Sequence, residues 1–260
     1  MSGIVGIINK SDKLSKKELE SAFESMIQEL FFDHFQLRNM FSNDNIFIGN
    51  FAPVYVKENS HFQHNKALQL CAFIDGLVFV DEHEREILKK SYDISAKLDD
   101  CFYVPYLYEY YKDEFIKHIT GCHNMFIYDE NKHESLLIND RLGFLPLYYC
   151  DLESCFIFAS KIEAILSSGL IPSINADQVT IAEHLLFNYP LSDHTYIKNI
   201  YTLSNAESIK IYRNNIEKKK YWSISELFDY NPAGKKESLE LLDQGLKQAM
   251  NKIVSKHDKI

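Results

Sequence analysis

Short runs of apolar and aromatic residues, separated by polar stretches, dominate the middle of the chain. Their length and composition are typical of strands buried in a sheet. These runs cover residues 46–50, 124–128, 135–139, 147–149 and 155–159. The polar stretches 129–134 and 151–154 each separate two successive runs. The pattern therefore predicts two β-hairpins and at least one further strand.

The apolar segment Leu70–Val80 is interrupted only by Asp75-Gly76. Asp-Gly is one of the strongest turn dipeptides, because both residues tolerate a positive φ. The segment therefore predicts two short strands joined by a tight turn.

Apolar residues at helical spacing predict several helices between the strands. The predicted helices cover residues 15–30, 104–119, 161–166, 179–186 and 238–254. Strands outnumber helices and do not alternate regularly with them. This order favours an α+β layered fold over a doubly wound parallel sheet.

Composition and charge restrict the classes of protein that remain. The chain has 260 residues, of which 46% are hydrophobic and 25% charged, as expected for one large or two modest folded domains. A net charge of -9 disfavours a general nucleic-acid binder.

No apolar run approaches about 18 residues and the first residues lack a secretory pattern, so we expect neither a membrane span nor a leader. Five scattered cysteines without a CxxC pair predict reduced thiols in a cytoplasmic setting and no metal site.

Several segments resemble, in order and spacing, the class-II glutamine amidotransferase domain of the asparagine synthetase family. They are Ser2–Ile7, Asn139–Tyr149, Phe158–Leu166, Thr195–Ile211 and Tyr221-Trp222. The resemblance implies an N-terminal-nucleophile (Ntn) fold, a four-layer αββα sandwich of two antiparallel sheets. It also implies that residues 1–212 form this domain. Residues 213–260 would be a linker and a helix resembling the start of the synthetase domain.

The family's activity needs two halves. The resemblance implies that one half hydrolyses glutamine and passes ammonia to an ATP-dependent half, which amidates an adenylated carboxylate. The pyrophosphate loop Ser-Gly-Gly-x-Asp-Ser of that second half does not occur in this sequence. ATP and magnesium are therefore expected on a separate synthetase subunit and no cofactor on this chain. The alternative partner is a second copy of this chain, in a homo-oligomer.

The resemblance also assigns the positions of the glutamine site, and most of them differ here. Ser2 occupies the position of the nucleophilic Cys, and Ala52 that of the Arg that anchors the substrate carboxylate. The oxyanion-hole pair, Asn-Gly in the family, is Asp75-Gly76. Asp100 matches the Asp that binds the substrate amine, although it could equally cap the following helix. A serine can still attack, but a carboxylate beside a developing oxyanion would repel it.

These substitutions predict a glutamine amidotransferase-like domain without efficient glutamine hydrolysis, acting as a structural or regulatory half of an amide-forming system. The N-terminal domains of β-lactam synthetases and lasso-peptide cyclases are similar in lacking a working glutaminase. Two alternatives stay open. One is a working amidohydrolase that uses Ser2 on another amide. The other is a binding module that recruits a partner through the helix at 238–254.

Overall fold

The computed structural model describes residues 2–11, 13–32, 34–54, 62–95, 98–228 and 234–254. The chain divides into two compact units, residues 1–221 and 222–260, which we describe separately. The first unit contains two antiparallel sheets. Their strands are β1 (Gly3–Asn9), β2 (Phe35–Ser42), β3 (Ile46–Pro53), β4 (Phe62–Asn65), β5 (Leu70–Val80), β6 (Ile119–Asp129), β7 (Glu134–Asn139), β8 (Tyr148–Asp151), β9 (Cys155–Ala159), β10 (Tyr201–Thr202), β11 (Glu207–Tyr212) and β12 (Asn215–Lys220).

Sheet A has the order β10-β8-β9-β1-β3-β2, and sheet B has the order β12-β11-β7-β6-β5-β4. The two sheets share a buried apolar layer, in which Ile4 and Phe158 of sheet A pack near Phe73 and Phe126 of sheet B. The rings of Phe126 and Phe158 stack with their centroids 5.1 Å apart. Such interleaving of large side chains is what holds two sheets face to face.

Helices cover the outer faces of both sheets. They are α1 (Lys16–Phe32), α2 (Glu82–Tyr92), α3 (Asp100–Tyr111), a 3₁₀ helix (Lys112–His118) and α4 (Ile162–Ser167). A further helix, α5 (Gln178–Phe187), contributes no residue to the three core clusters. The buried face of α1, including Leu19, Phe23 and Met26, packs with α4 against sheet A. Helices α2 and α3 pack against sheet B through Leu88, Val104 and other buried residues. The layers are therefore helix, sheet, sheet and helix, which confirms the predicted fold class.

Both predicted hairpins are confirmed, as β6–β7 and β8–β9. The helix predicted over 104–119 is partly wrong. It begins earlier, at Asp100, because the Asp99 side chain caps its N-terminus by accepting from the Asp100 N–H at 2.6 Å. It ends at Tyr111, because Lys112 adopts a φ of 52° that no α-helix continues. A 3₁₀ helix and the start of β6 take up the rest of the predicted span.

The turn predicted at Asp75-Gly76 is also wrong. Strand β5 is continuous and pairs with β6 from Leu70 opposite Asp129 to Val80 opposite Ile119. Gly76 has a φ of 97°, and a Cβ atom there would overlap the Cys122 carbonyl oxygen of β6. The glycine is thus required by a close approach of two backbones within the sheet and not by a chain reversal.

Strand β12 pairs with β11 in sheet B, so the first unit extends to Tyr221, beyond the predicted boundary at 212. The second unit contains a 3₁₀ helix (Ile224–Phe228) and α6 (Lys235–Val254), the helix that the sequence predicted over 238–254. Its apolar residues are exposed, among them Leu239, Leu242 and Leu246. Whether residues 213–260 begin a synthetase-type domain stays a prediction. In the part of the chain that the structure describes, no helix is both long and apolar enough to cross a bilayer.

Candidate active site

The start of β1 brings Ser2 to the end of the interface between the sheets. β1 lies between β3 and β9 in sheet A. Gly3 lies where a Cβ atom would overlap the Phe51 ring and come within 2.7 Å of the Ser160 Cβ. Only a glycine fits at position 3, because any side chain would overlap these neighbours. This close packing fixes the position of the preceding residue, Ser2.

Ser2 opens onto a cavity of about 260 Å³. Drug-sized ligands usually occupy pockets of roughly 300–1,000 Å³, so this cavity suits a smaller molecule. Its wall combines aromatic and aliphatic side chains with two hydroxyls, one carboxyl and one amine. The lining residues are Ser2, Phe35, Phe51, Asp75, Leu145, Pro146, Ser160 and Lys161.

The Ser2 hydroxyl donates a hydrogen bond of 2.6 Å to Asp75 Oδ1. Asp75 is 4% exposed, and its burial raises the pKa of the carboxyl, while the hydrogen bond from Ser2 opposes that rise. The bond crosses from sheet A to sheet B. The two positions that the sequence assigned to the nucleophile and the oxyanion hole therefore lie in direct contact.

Asp75 belongs to a row of buried polar residues across three strands of sheet B. It lies opposite Asn124, which in turn lies opposite Asn139. Asn124 Nδ2 donates to the carbonyl oxygens of Leu145 and Pro146, both at 3.4 Å. Asn124 Oδ1 is buried and has no hydrogen-bond partner among the described residues. The row thus connects Asp75 to the loop that forms one wall of the cavity.

A buried carboxylate shapes that loop. Asp140 accepts backbone hydrogen bonds from Leu142 and Gly143 through Oδ1, at 2.8 and 2.9 Å. It accepts two more from His123 and Phe144 through Oδ2, at 3.2 and 3.3 Å. Four N–H donors around one carboxylate fix the backbone that leads into Leu145 and Pro146.

His123 lies opposite Gly76 in the β5–β6 ladder and is almost completely buried. Its Nδ1 has no partner among the described residues. Burial lowers the pKa of the imidazole to about 4, although the nearby Asp140 carboxylate opposes the shift. The ring is therefore neutral at physiological pH.

Lys161 supplies a positive charge and lies outside the set of site residues predicted from the sequence. Its Nζ lies 4.4 Å from the centroid of the Phe35 ring, and this ring meets the Phe51 ring edge-on at 5.4 Å. All three side chains line the cavity. A signal was available: Lys161 occupies the Glu position of the segment, Phe158–Leu166, that resembles the family's FASExKAL block.

Two of the predicted site residues are not brought to the cavity. Ala52 lies in β3, opposite Gln36 of β2, and is not among the lining residues. Asp100 is buried at the start of α3, where its carboxylate pairs with Arg85 of α2 at 2.7 Å. It does not cap the helix, since that role belongs to Asp99. Gly76 follows Asp75 in β5 and adjoins the lining residue Leu145.

This arrangement can accept a proton from Ser2, because Asp75 is already its hydrogen-bond acceptor. It is poorly suited to a developing oxyanion beside Ser2, because the group in contact with Ser2 is a carboxylate. No arginine and no side-chain amide lines the cavity in the described part of the chain. Nor do the described residues contain a cluster of three or more potential metal ligands.

Two antiparallel sheets between helical layers, with the second residue of the chain at a cleft between the sheets, define an Ntn-type glutamine amidotransferase fold. A profile of the glutamine amidotransferase domain family matches residues 1–222, and the chain belongs to this family. Among curated proteins, it is 29% identical over 134 residues to asparagine synthetase [glutamine-hydrolyzing] 2 of Bacillus subtilis. That match covers 49% of this chain and 18% of the relative. It is 24% identical over 162 residues to amidase chyE of Penicillium rubens, covering 62% of this chain and 23% of the relative.

The chain thus spans only about a fifth of the length of these relatives. Among solved structures, it is similar to glutamine phosphoribosylpyrophosphate amidotransferase from B. subtilis, with a TM-score of 0.51 and 11% identity. The match covers 85% of this chain and 49% of that one. A structure described as the allosteric regulatory enzyme of purine biosynthesis matches over the same shares with a TM-score of 0.52. At this identity the likeness supports the fold alone, and together with the curated relatives it confirms an asparagine-synthetase-like amidotransferase domain.

Proposed function

We propose that residues 1–221 form a glutamine amidotransferase-like domain that does not hydrolyse glutamine efficiently. In this proposal the domain is the structural or regulatory half of an asparagine-synthetase-type system that forms amides with ATP. The single observation that carries the proposal is the 2.6 Å contact between Ser2 Oγ and the buried Asp75 carboxyl.

Amide hydrolysis creates a negative charge that the site must stabilise. When a nucleophile attacks an amide, the carbonyl oxygen becomes an oxyanion that needs hydrogen-bond donors. Removing one such donor typically costs about 10²–10³ in rate. At Asp75 the acceptor oxygens of a carboxylate stand where the family has a donor amide, so we expect a larger loss. The ion pair between Asp100 and Arg85 should weaken glutamine binding as well. In the family the acid at this position binds the substrate amine, and here its carboxylate is paired with Arg85.

The expected partner is a separate ATP-dependent synthetase subunit, which would hold ATP and magnesium. The support is the surface of α5, where Val179, Leu185, Leu186 and Phe187 are exposed. None of the described apolar side chains of α5 belongs to the three core clusters. Contiguous exposed apolar surface of this kind usually marks an interaction site.

The decisive experiment measures ammonia release from glutamine by the purified protein, beside Ser2→Ala. We expect both proteins to release ammonia at the same background rate. A robust release by the wild type that Ser2→Ala abolishes would overturn the proposal. Mass spectrometry of the same sample shows whether Met1 is retained. Ser2 has a free α-amine only if Met1 has been removed.

A second candidate function is a serine amidohydrolase that acts on another amide. The observation that favours it is the direction of the Ser2–Asp75 hydrogen bond, because a carboxylate that accepts the proton of a nucleophile can act as its base. A panel of small amides tests this function. Turnover that both Ser2→Ala and Asp75→Asn abolish would support it, and turnover that survives either change would exclude it.

The recruiting-module alternative concerns the second unit. Helix α6 exposes its own apolar residues, including Leu242 and Leu246. The test is co-expression with a neighbouring reading frame that encodes the pyrophosphate loop Ser-Gly-Gly-x-Asp-Ser. If α6 alone recruits the partner, deletion of residues 238–260 abolishes the complex. If α5 is the docking surface, the complex survives this deletion.

A further inference from the structure

The two open sheets have four edge strands, and three of these carry features that prevent further pairing. An edge strand exposes unpaired backbone N–H and C=O groups, which natural proteins protect by short length, by charge or by a covering segment. β4 has four residues and β10 only two. The outer side of β10 is also met by His194, in an isolated bridge to Tyr201. The last four residues of β12, Glu217–Lys220, are all charged.

The fourth edge strand, β2, is both long and weakly charged. Of its eight residues, Phe35–Ser42, only Arg38 carries a charge. The Arg38 guanidinium donates to the Pro53 carbonyl oxygen at 3.0 Å, so the neighbouring strand β3 holds this charge. In the described part of the chain, no strand pairs with the outer side of β2.

Exposed apolar side chains lie on this strand and beside its first residue. Met40 of β2 is half exposed, and Phe31 and Val54 are each more than half exposed. The Phe31 carbonyl oxygen accepts from the His34 N–H, and the Val54 N–H donates to the His34 carbonyl oxygen, both at 3.1 Å. Because His34 directly precedes β2, apolar surface accompanies the unpaired backbone groups of this edge. This combination is typical of an edge that pairs with another chain.

We propose that β2 pairs with β2 of a second copy of this chain, antiparallel and about a two-fold axis, so that sheet A of both copies becomes one continuous sheet. The inference goes beyond the proposed function and does not depend on it, because backbone pairing at this edge requires no activity at Ser2.

The sequence of β2 suits pairing with itself. In an antiparallel pair centred between Arg38 and Asn39, Leu37 lies opposite Met40 of the second copy. Each Arg38 lies opposite Asn39 of the other copy, so like charges are not directly opposed. Such a contact uses the same surface on both chains and closes after two copies. A second copy is therefore the occupant that this edge fits.

Two features limit the strength of this pair. The register between β2 and β3 shifts between Leu37 and Asn39, and a bulge of this kind twists an edge strand locally. Eight residues extend over about 27 Å. A strip of this length and one strand in width is smaller than the area of about 800 Å² that each partner buries in a standard interface. We therefore expect a reversible dimer with a dissociation constant in the micromolar range or weaker.

Sedimentation of the full-length chain from about 1 to about 500 µM tests the proposal. We expect the wild type to shift from monomer towards dimer. Met40→Lys should weaken the dimer at least about tenfold at an unchanged melting temperature, because it adds a charge to the paired edge at a half-exposed position. Leu142→Lys is the matched control, since Leu142 is also exposed but follows β7 and lies outside β2. A monomer at every concentration, or a dimer that Met40→Lys leaves intact, would overturn the proposal.

Amide hydrogen exchange of the wild type at low and high concentration locates the contact without any substitution. We expect exchange in β2 to slow as the concentration rises, and exchange in the charged edge strand β12 to stay unchanged. Slowing confined to α5 or α6 would mean that the copies associate through an exposed helix, and it would refute pairing through β2.

Discussion

The Ser2 hydroxyl and the Asp75 carboxyl face each other across the two sheets at 2.6 Å, with Asp75 almost completely buried. Ser2 precedes β1 of sheet A, and Asp75 lies in β5 of sheet B. Their contact links β1, an inner strand of sheet A, to β5, which lies one strand from the edge of sheet B. It also places a carboxyl with a raised pKa in a partly apolar cavity.

We expect Asp75→Asn to stabilise the protein at neutral pH. Because burial raises the folded-state pKa above the ordinary value of 3.8, the folded carboxyl holds its proton to a higher pH than the unfolded one. Stability therefore falls as the pH rises above 3.8, because the unfolded chain loses this proton first, and the cost is absent below pH 3.8. The asparagine oxygen can still accept from Ser2. The melting temperature should rise by about 2–4 °C for each kcal/mol gained.

Thermal melts from about pH 3 to about pH 8 check this expectation. The advantage of Asp75→Asn should vanish in acid and should grow as the pH rises above 3.8. Glu24→Gln, on an exposed part of α1, is the control and should differ little from wild type throughout. A variant that melts below wild type at neutral pH would contradict the expectation.

The sequence predicted the framework of this fold better than its site. The hairpin around Asp129–Glu134 and the buried face of α1 depend on local periodicity, which a sequence displays directly. Asp75-Gly76 predicted a turn because Asp-Gly is common in turns. The same dipeptide also occurs here where two strands approach each other closely. Only the neighbouring Cys122 carbonyl distinguishes the two cases.

The site depends on contacts between residues that are distant in the sequence. Ser2 meets Asp75 only because the two sheets stack, and Lys161 meets Phe35 only because β2 and the start of α4 converge on one cavity. Family positions identified Ser2, Asp75 and Gly76. They could not reveal that Asp100 pairs with Arg85, because α2 itself was not predicted.

Gly76→Ala should be severely destabilising. The new Cβ would overlap the Cys122 carbonyl oxygen and lie 2.6 Å from Leu145 Cδ1, at a φ of 97° that L-residues rarely adopt. Clash and strain together should cost about 3 kcal/mol or more. Gly169→Ala separates the two causes, because Gly169 also has a positive φ of 71° but no atom within 4 Å of the new Cβ. It should cost only about 1 kcal/mol.

Chemical denaturation of the two glycine variants measures this difference. Equal losses of stability in Gly76→Ala and Gly169→Ala would mean that backbone strain alone accounts for the effect. That result would argue against a required close approach of β5 and β6.

His123 should make the fold sensitive to mild acid. Its folded-state pKa is about 4, below the ordinary 6.5, so the unfolded chain takes up a proton at a higher pH than the folded one. Stability is therefore complete above pH 6.5 and falls as the pH drops towards 4, by up to about 3 kcal/mol. In His123→Leu this slope should disappear.

Denaturation midpoints across that pH window test the role of His123. His83→Gln, an exposed histidine in α2, serves as the control and should keep the wild-type slope. If His123→Leu loses stability in acid as steeply as wild type, other groups cause the sensitivity.

Asp140 should be the main determinant of the loop that forms one wall of the cavity. Asp140→Ala leaves four backbone N–H donors without their carboxylate and should cost about 3 kcal/mol, whereas Asp140→Asn keeps one acceptor oxygen and should cost less. Amide exchange at Leu142 and Gly143 should accelerate in both variants. Asp44→Asn breaks an exposed ion pair with Lys16 and should stay within about 0.5 kcal/mol of wild type. Unchanged exchange in Asp140→Ala would rule out this role.

The double variant Leu185→Gln, Leu186→Gln tests the apolar face of α5. The two side chains are 77% and 75% exposed, so their replacement should change the free energy of unfolding by less than about 0.5 kcal/mol. If this face binds the synthetase subunit, the same replacement removes apolar contacts from the interface and should weaken the complex at least about tenfold. The comparison variant is Leu242→Gln, Leu246→Gln, which changes two exposed leucines of α6 in the second unit. Sedimentation of each variant with the co-expressed partner distinguishes the two surfaces. If only the α6 change weakens the complex, the partner binds α6 and not α5.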